Sequence, residues 1–565
     1  MPKLLLGPLL RHTDTTSATI WVETDQPCTV TVSGPEPAPS AHTFTVAGHH
    51  YALVVIAGLT PATSTPYQVL LDDEQVWPLA DSSYPPSRIR TFPEGGDPEF
   101  LLLFGSCRMP DSDDPKEMRT MGTDALAAYA TRMHEQDERD WPDSLLLVGD
   151  QVYADDTTKA TKEWISKRRD ISKPPYGEVA DFEEYTRLYH ESWASPLARW
   201  LMSTVPTSMI FDDHDVRDDW NTSQAWRDEI ERTSWWHDRE RGALASYWIY
   251  QHIGNLAPDD LGDDEIYEKV VAQGRDGDAA DLLREFADRA RQEVNGRKGT
   301  RWSYRRDFGN VRMLVIDTRS GRILSGGVRS MVGDGEFEWI EQHADGTYDH
   351  LLIGSSLPWL MPHAISHIQS MNEVACRRPG WRGRLAEKFR QVSDLEHWPS
   401  FRASSDRLTR LILRIAKSDV ASVSVLSGDV HHVYAARASF PEEVKAAVFQ
   451  LTCSPVHNQV ERLMRPLFVL AWWRPLAAVF RWLMFRSPHI DPMPVEWSKV
   501  SGPFFGNAIA SLRIKGRHAE MVVEQAEGGR FAPRLKPLTT VVLTDDPNNP
   551  AASPGRRARW RSRRP

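Results

Sequence analysis

Polar side chains that can bind metal ions or move protons follow several short apolar runs of this sequence. Residues 145–148 are apolar, and Gly149 and Asp150 follow them directly. A short apolar run that ends at a glycine is typical of a strand buried on both faces. Because open α/β sheets bind ligands outside the carboxyl ends of their strands, we interpret Asp150 as a site residue. On its own, the motif also allows a solvated aspartate that caps a helix.

The same pattern recurs between residues 100 and 430, with helical stretches between the apolar runs. This alternation predicts an α/β fold in which helices cover a sheet. The residues that follow the runs and could do chemistry are Cys107, Asp150, Tyr153, Asp212, Asp213, His214, Asp215, Asp429, His431 and His432. Asp317 and Arg319 follow another run, and we expect a buried ion pair that supports the site, with direct substrate contact as the alternative.

So many carboxylates brought together would repel one another and would be costly to remove from water. Metal ions relieve both costs, and Asp150 could bridge two of them. Two cations about 3.5–4 Å apart can clamp a phosphoryl group and activate a water molecule. The phenol of Tyr153 and the thiol of Cys107 favour a trivalent or thiophilic metal, whereas carboxylates alone would suit calcium, magnesium or manganese.

Four motifs in this order resemble the PhoD-like alkaline phosphatases of the calcineurin-like metallophosphoesterase superfamily. They are Gly-Ser-Cys107-Arg, Gly-Asp150-Gln-Val-Tyr153, Asp-Asp213-His214-Asp and Ser-Gly-Asp429-Val-His431-His. The resemblance covers roughly residues 100–455. It implies a metallophosphoesterase-type layered β-sandwich flanked by helices, and a centre of iron with calcium, for which manganese, magnesium or zinc are alternatives.

The resemblance also implies roles for individual residues. Cys107, Tyr153 and Asp429 would hold the iron, and Asp150 would bridge the metals. Asp213 stands where the superfamily usually has a metal-binding asparagine, and His431 takes the later histidine-ligand position.

Three further residues complete the implied site. His214 would be the general acid or transition-state donor, and Arg108 and His432 would contact the phosphate. The family segment rich in asparagine after this histidine reads Val-Arg-Asp-Asp-Trp-Asn in residues 216–221. This departure and Asp213 leave the identity of the second metal open.

Residues 1–97 predict a small all-β domain, because apolar and polar residues alternate with period two. The segment around Tyr67 resembles the fibronectin type III tyrosine corner, in which the phenol ties a loop to the start of a strand. We assign residues 98–545 to the phosphatase domain. Residues 222–300 are interpreted as a helical insertion near the site that could act as a lid, and residues 546–565 as a basic disordered tail.

Residues 459–486 combine a strongly apolar composition with Arg465, Arg474 and Arg481. The arginines and two prolines argue against a spanning helix. An amphipathic hairpin remains, either packed on the domain or resting on a membrane surface.

Composition limits the other possibilities. A chain of 565 residues predicts two or three domains, and a formal net charge of −11 argues against general nucleic-acid binding. Four cysteines without a close pair, and an amino terminus without a secretory pattern, predict a cytoplasmic protein, with peripheral contact at the inner membrane surface as an extension.

The main hypothesis is hydrolysis of a phosphomonoester or phosphodiester by metal-activated hydroxide, with a small phosphate ester or a phospholipid as the substrate. His214 would protonate or stabilise the leaving alkoxide. The alternative is a membrane-surface binding or scaffolding protein with a vestigial phosphoesterase site.

Overall fold

The computed structural model describes residues 1–96, 98–297, 300–325, 329–459, 464–485 and 493–544. The predicted tail and parts of the 459–486 segment lie outside these residues. Two regions follow one another along the chain. An all-β sandwich comes first, and a larger α/β region carries the candidate site.

Ten strands build the amino-terminal sandwich. Their bounds are β1 Leu4–Thr13, β2 Ser17–Thr24, β3 Thr29–Ser33, β4 Ser40–His42, β5 Phe44–Val46, β6 His49–Ala57, β7 Ser64–Pro66, β8 Gln68–Leu71, β9 Glu74–Trp77 and β10 Arg88–Arg90. The sheets run β1-β2-β6-β5 and β4-β3-β8-β9, and β10 pairs with β7. Ile20, Val30, Val54 and Val69 share one buried core between the sheets, which confirms the predicted small β domain.

Two larger sheets form the second region. Their strands are β11 Phe100–Gly105, β12 Ser144–Val148, β13 Thr207–Ile210, β14 Tyr304–Phe308, β15 Val311–Ile316, β16 His350–Ser355, β17 Ser422–Ser427, β18 Val433–Ser439, β19 Ala447–Thr452, β20 Glu496–Phe504, β21 Ala508–Lys515, β22 His518–Glu527 and β23 Arg534–Thr544. One sheet runs β13-β12-β11-β21-β22-β23, and the other runs β14-β15-β16-β17-β19-β18-β20.

The two sheets share a core, because their strands are apolar on the inner faces. Leu103 and Leu146 of the first sheet join Leu352 and Leu426 of the second in one buried cluster. Burying such a side chain contributes about 1.5–3 kcal/mol. The parallel strands β11, β12 and β13, and β15, β16 and β17 of the second sheet, are buried along their length except at one half-buried position in β15. This arrangement confirms the predicted layered α/β fold.

Helices lie between the strands along the chain, and several of them pack against the two sheets. Their bounds are α1 Pro115–Met121, α2 Ala125–Glu135, α3 Lys159–Arg168, α4 Phe182–Trp193, α5 Pro196–Thr204, α6 Gln224–Ile230, α7 Trp236–Tyr247, α8 Ile253–Asn255, α9 Pro258–Leu261, α10 Tyr267–Asp276, α11 Ala280–Ala290, α12 Asp334–His343, α13 His363–Cys376, α14 Trp381–Val392, α15 Arg402–Ala416, α16 Arg465–Ala471 and α17 Arg474–Phe485.

Helices α6 to α11 lie within the segment interpreted as an insertion. The carboxylate of Asp278 accepts hydrogen bonds from the backbone of Ala47 and Gly48, at 2.9 and 3.0 Å, which ties this segment to the sandwich. From α7, Arg239 donates to the carbonyl of Val216 (2.8 Å), just after Asp213. The insertion therefore braces the sandwich and a site loop, and its role as a lid stays a prediction.

Buried polar contacts join the sandwich to the second region. The fully buried guanidinium of Arg11 donates to the carbonyls of Thr207 (2.9 Å) and Tyr250 (2.6 Å). The hydroxyl of Tyr67 donates to the carbonyl of Ser203 in α5 at 2.6 Å. The predicted tyrosine corner is corrected in this respect: the phenol reaches across to the neighbouring region, because α5 packs beside β1 and β10.

Glu23 is a fully buried carboxylate at the same junction. It contacts His49 (3.2 Å) and His190 (2.8 Å) and accepts a hydrogen bond from Tyr250 (2.9 Å). The other ring nitrogen of His49 lies 2.8 Å from Glu183. Burial lowers the pKa of His49, but Glu23 and Glu183 overcome this effect and raise it to about 9.

The contacts of His49 with Glu23 and Glu183 predict a pH-dependent contribution to the stability of the fold. Because the folded pKa of His49 lies above its ordinary value of 6.5, its stabilisation is fully present below about pH 6.5 and is lost as the pH rises through about 9. We expect the His49→Gln variant to unfold at a lower temperature than the wild type, by the equivalent of about 1–3 kcal/mol near neutral pH. This difference in stability between the wild type and the variant should disappear above about pH 10.

Thermal unfolding followed by circular dichroism at several pH values measures the gap. His42→Gln, at an exposed position of the same domain, is the control. A gap for His49→Gln that does not change with pH would contradict the assignment.

Candidate metal centre

The predicted site residues lie in loops that follow strands of both sheets. Cys107 follows β11, Asp150 follows β12, Asp213 follows β13, and Asp429 follows β17. The loops after β11 and β12 are tied together: the amide of Cys107 donates to the carbonyl of Gly149 (3.2 Å), and the amide of Arg108 donates to that of Asp150 (3.1 Å). The end of each parallel strand therefore delivers one functional group to a shared location.

Four of these residues have a left-handed backbone. The φ angles are 58° at Cys107, 50° at Asp150, 66° at Asp429 and 50° at His431. Residues other than glycine adopt this region rarely, and such strain concentrates at functional sites. Gly149 precedes Asp150 with φ 109°, and a Cβ there would stand 2.6 Å from the Cβ of Asp212. Only glycine allows the loops after β12 and β13 to approach so closely.

Among the described residues, three groups of side chains bring ligand atoms within 4.8 Å of one another. They are Cys107, Asp150 and His431; Asp150, Asp212 and Asp213; and Asp213, His214 and Asp218. Asp150 belongs to the first two groups and Asp213 to the last two. This sharing fits the bridging role predicted for Asp150, which stays a prediction.

The first group also has a phenol beside it. Tyr153 packs with Cys107 in one small buried cluster, and its hydroxyl accepts a hydrogen bond from Asn458 (3.1 Å). Burial and the charge of Asp150 raise the pKa of both the Cys107 thiol and the Tyr153 phenol well above their ordinary values. A bound cation is the ordinary means by which such groups become anionic ligands. His431 is suited to bind as a neutral ligand, because burial lowers its pKa to about 4.

Asp150 is the least compensated of these groups. In the part of the chain that the structure describes, its buried Oδ1 atom has no hydrogen-bond partner. Burial, and then Asp213, Asp215 and Asp429, raise its pKa well above the ordinary value, although the charge of His214 opposes this. A buried, unpaired carboxylate oxygen beside a thiol and an imidazole is a donor set that fits a metal ion.

Arg319 is the principal residue that the sequence-based interpretation misplaced. Its fully buried guanidinium contacts four carboxylates: Asp212, Asp213 (3.1 Å), Glu396 and Asp429 (3.4 Å). The carboxylate of Asp317, its predicted partner, instead accepts hydrogen bonds from the backbone amides of Arg319, Ser320 and Gly321. The predicted ion pair between Asp317 and Arg319 is therefore corrected: Arg319 pairs with other carboxylates. The positive charge of Arg319 offsets part of the negative charge that Asp213 adds to the site.

Asp215 organises the loops and belongs to none of the three groups. Its carboxylate accepts backbone hydrogen bonds from Asp150 (3.0 Å), Gln151 (3.1 Å), Val152 (3.2 Å) and Asp212 (2.8 Å). Burial raises its pKa to about 7, although these four donors favour the charged form. One side chain thus holds both the Asp150 loop and the start of the Asp213 loop.

His214 is held by a residue that the sequence-based interpretation missed. Its Nδ1 atom lies 2.9 Å from Asp155, and its Nε2 atom points toward Asp218 at 4.0 Å. Burial lowers the pKa of His214, but Asp155 and then Asp213 and Asp150 raise it well above the ordinary value. The position of Asp155 two residues after Tyr153 was the available signal, although its partner lies 59 residues away.

His397 is a second missed residue, and it contacts Asp429. Its Nε2 atom lies 2.8 Å from Asp429, and its Nδ1 atom pairs with Gln369 at 2.9 Å. Burial opposes ionisation of Asp429, but the hydrogen bond from His397 and the charge of Arg319 lower its pKa. No motif identified His397, because it follows a helix and not a strand.

The two residues predicted to contact phosphate have other hydrogen-bond partners in the structure. Arg108 donates to Asp124, the residue that caps α2, from Nε (3.0 Å), and to the carbonyl of Ser192 from Nη1 (2.6 Å). The buried ring of His432 contacts the carbonyl of Val430 through Nδ1 (2.6 Å) and packs against Tyr434 and Phe468. Both residues therefore have other partners in this structure, and their contact with phosphate stays a prediction.

The four carboxylates around Arg319 predict a large loss of stability when its guanidinium is removed. Arg319→Gln leaves four carboxylates without their shared partner, and breaking such a buried pair costs about 3–5 kcal/mol. We expect a lower midpoint of thermal unfolding for this variant in the presence of chelator. Adding manganese or calcium should restore part of the loss. Arg139→Gln, with a side chain 77% exposed, is the control. A decrease no larger than that of the control would contradict this role of Arg319.

Comparison with known proteins supplies the family. Residues 122–464 match the model of the PhoD-like phosphatases, and residues 1–89 match a domain of unknown function, DUF7800. A solved structure entitled "Structure of PhoD" aligns with a TM-score of 0.58 at 13% identity, over 96% of this chain and 90% of that chain.

Two other comparisons add nothing to the assignment. The type III pullulan hydrolase from Thermococcus kodakarensis reaches a TM-score of only 0.13 at 9% identity, over 93% of this chain and 94% of that chain. No curated protein matches the sequence significantly.

The family match spans more than half of the chain, and the strand-end site lies largely within it: the chain belongs to the PhoD-like phosphatase family.

Proposed function

We propose that this PhoD-like phosphatase hydrolyses phosphomonoesters, phosphodiesters or both by metal-dependent chemistry. Membership of the family supports phosphoester hydrolysis. The observation that carries the metal dependence is Asp150, a buried carboxylate that belongs to two of the ligand groups and has an oxygen without a partner among the described residues.

The donor set suggests how two kinds of metal would be held. Cys107, Tyr153 and His431 would bind iron, because thiolate and phenolate favour a trivalent or thiophilic ion. Asp429, whose carboxylate contacts Arg319 and His397, is proposed as a further iron ligand on the family resemblance. Asp150 would bridge to a second ion, for which calcium is proposed on the oxygen ligands of Asp213 and its neighbours, with manganese, magnesium or zinc as alternatives. When bound, such ions activate water and neutralise charge on the phosphoryl oxygens.

His214 is proposed as the general acid. Asp155 holds Nδ1, and Nε2, which lies 4.0 Å from Asp218, is the atom proposed to face the substrate. Against the opposing effect of burial, the carboxylate of Asp155 raises the pKa of His214 and so favours the protonated form that a general acid needs to deliver a proton to the leaving alkoxide. Asp155 fixes the orientation of the ring, as the carboxylate partner of a catalytic histidine commonly does.

The alternative of a vestigial site on a membrane-binding scaffold has less support. Loss of function usually removes some ligands, whereas this chain keeps a thiol, a phenol, carboxylates and imidazoles within one buried region. The strained backbone at Cys107, Asp150, Asp429 and His431 also persists. Such strain costs about 1–3 kcal/mol for each residue, and a site without function has no reason to keep it.

Asp150→Asn tests the metal-bridging role. The substitution keeps the shape of the side chain but removes the charge that would bind both cations. We expect at least about a thousandfold loss of kcat on p-nitrophenyl phosphate and bis(p-nitrophenyl) phosphate, with an unchanged circular dichroism spectrum. Asp140→Asn, at an exposed position, should keep full activity. Normal turnover of the Asp150 variant would refute the proposal.

Tyr153→Phe tests the identity of the first metal. A phenolate bound to ferric iron gives a visible charge-transfer band, which the variant should lose while the protein stays folded. Tyr176→Phe, at a residue 55% exposed, should keep the band. Elemental analysis of the wild type is measured in parallel. A colourless wild type without iron would leave a calcium or manganese enzyme.

A further inference from the structure

Helix α14 presents its apolar side outward. Trp381, Leu385, Phe389 and Val392 are 64%, 61%, 50% and 74% exposed. Their spacing of four, four and three residues places them on one face of the helix. An exposed apolar stripe of this kind is the reverse of the usual pattern for a helix at the surface of a globular protein.

The inward side of α14 is polar and small. Gly383 and Arg390 are the buried residues of this helix. Arg390 donates to Asn372 of α13 (3.3 Å) and pairs with Glu387 (3.0 Å), and Asn372 donates to the carbonyl of Ala386 (2.8 Å). Polar contacts thus attach α14 to α13, and its apolar face is left for another surface.

Helices α16 and α17, in the segment predicted to be an amphipathic hairpin, also expose apolar side chains. Leu467, Val469 and Leu470 of α16 are 54%, 53% and 44% exposed, and Trp473, which follows it, is 56% exposed. Val479 of α17 is 54% exposed. Helix α13 packs against both α14 and α17. We define the basic apolar surface by the residues Trp381, Leu385, Phe389, Val392, Leu467, Val469, Leu470, Trp473 and Val479.

Basic residues accompany this surface. Residues 377–392 contain six arginines or lysines and one glutamate, and residues 464–485 contain three arginines and no acidic residue. Arg378, Arg382, Arg384 and Lys388 are exposed beside the apolar stripe of α14. The whole chain, by contrast, has a formal net charge of −11. The positive charge is therefore local to the exposed apolar residues.

We propose that the basic apolar surface docks this protein on the headgroup region of an anionic lipid bilayer. Interfacial helices combine an apolar face rich in aromatic and aliphatic residues with arginine and lysine at its edge. Anionic headgroups attract such segments. None of the described helices is by itself long and apolar enough to cross a bilayer; only α16 and α17 together pass by length and composition, with a bend of 66° between them.

A second copy of the chain fits this surface less well than a bilayer does. A symmetric dimer through the same face would bring the basic residues of both copies together. Like charges at close range disfavour such an interface. Large exposed apolar patches otherwise mark interaction sites, so the surface needs an occupant, and an anionic one matches its charge.

The surface also connects directly to the candidate metal centre. Phe468 of α16 packs on His432, with ring centroids 4.7 Å apart, and His432 adjoins the candidate ligand His431. Glu396 and His397 follow α14 within five residues of Val392 and contact Arg319 and Asp429. Docking through α14 and α16 would therefore hold the site beside the lipid headgroups.

Co-sedimentation of the full chain with vesicles tests the docking. We expect the wild type to bind vesicles of phosphatidylglycerol mixed with phosphatidylcholine, and to bind phosphatidylcholine alone much more weakly. Binding should fall as salt is added, because surface charge is screened. The variants Leu385→Glu/Phe389→Glu and Leu470→Glu/Trp473→Glu should each bind at least about tenfold more weakly, since burial of two apolar side chains is lost.

The double variant Leu79→Glu/Phe531→Glu is the matched control. It replaces the same residue types as the α14 variant at positions 44% and 96% exposed and outside the defined surface. All variants should keep the thermal unfolding midpoint of the wild type and its activity on a soluble phosphodiester. The proposal is overturned if the wild type stays in the supernatant, if the control loses binding equally, or if light scattering shows a dimer that the α14 variant makes monomeric.

Discussion

The concentration of buried carboxylates where the two sheets meet is the constraint on which the candidate site depends. Burying an unpaired charge costs several kcal/mol, so such carboxylates need cations or protons. Arg319 serves Asp212, Asp213, Glu396 and Asp429 at once, and His397 adds a second contact to Asp429. Asp150 receives neither of these partners. Arg319 and His397 thus offset part of the negative charge, whereas Asp150 keeps a buried oxygen without a hydrogen-bond partner among the described residues.

Backbone geometry makes this concentration achievable. Strands β11, β12 and β13 run parallel, so their carboxyl ends deliver three loops to one edge, and β17 delivers a fourth from the facing sheet. Asp215 then fixes two of these loops through four backbone amides. The left-handed residues accept their strain because the surrounding sheets and hydrogen bonds determine their conformation.

The remaining elements brace the site or present it. The sandwich is anchored by buried groups, among them Arg11 and Glu23, and the helical insertion contacts both the sandwich and the Asp213 loop. Helices α14 and α16 carry exposed apolar residues; His397 follows α14 along the chain and contacts Asp429, and Phe468 of α16 packs on His432, the neighbour of His431. The residues that brace the site and the exposed apolar residues therefore lie on different elements of the chain.

The sequence by itself determined the strands, their order of functional residues, and the groups that could bind metal. These properties are local: an apolar run predicts a buried strand, and the polar residue after it is delivered to the sheet edge. Only the tertiary structure decided how the charges are paired. Arg319 meets Asp212 across 107 residues, His397 meets Asp429 across 32, and Arg108 and His432 turn toward helices or loops. It also decided that α14 lies with its apolar face outward, because an amphipathic pattern predicts two faces but not which one meets the core.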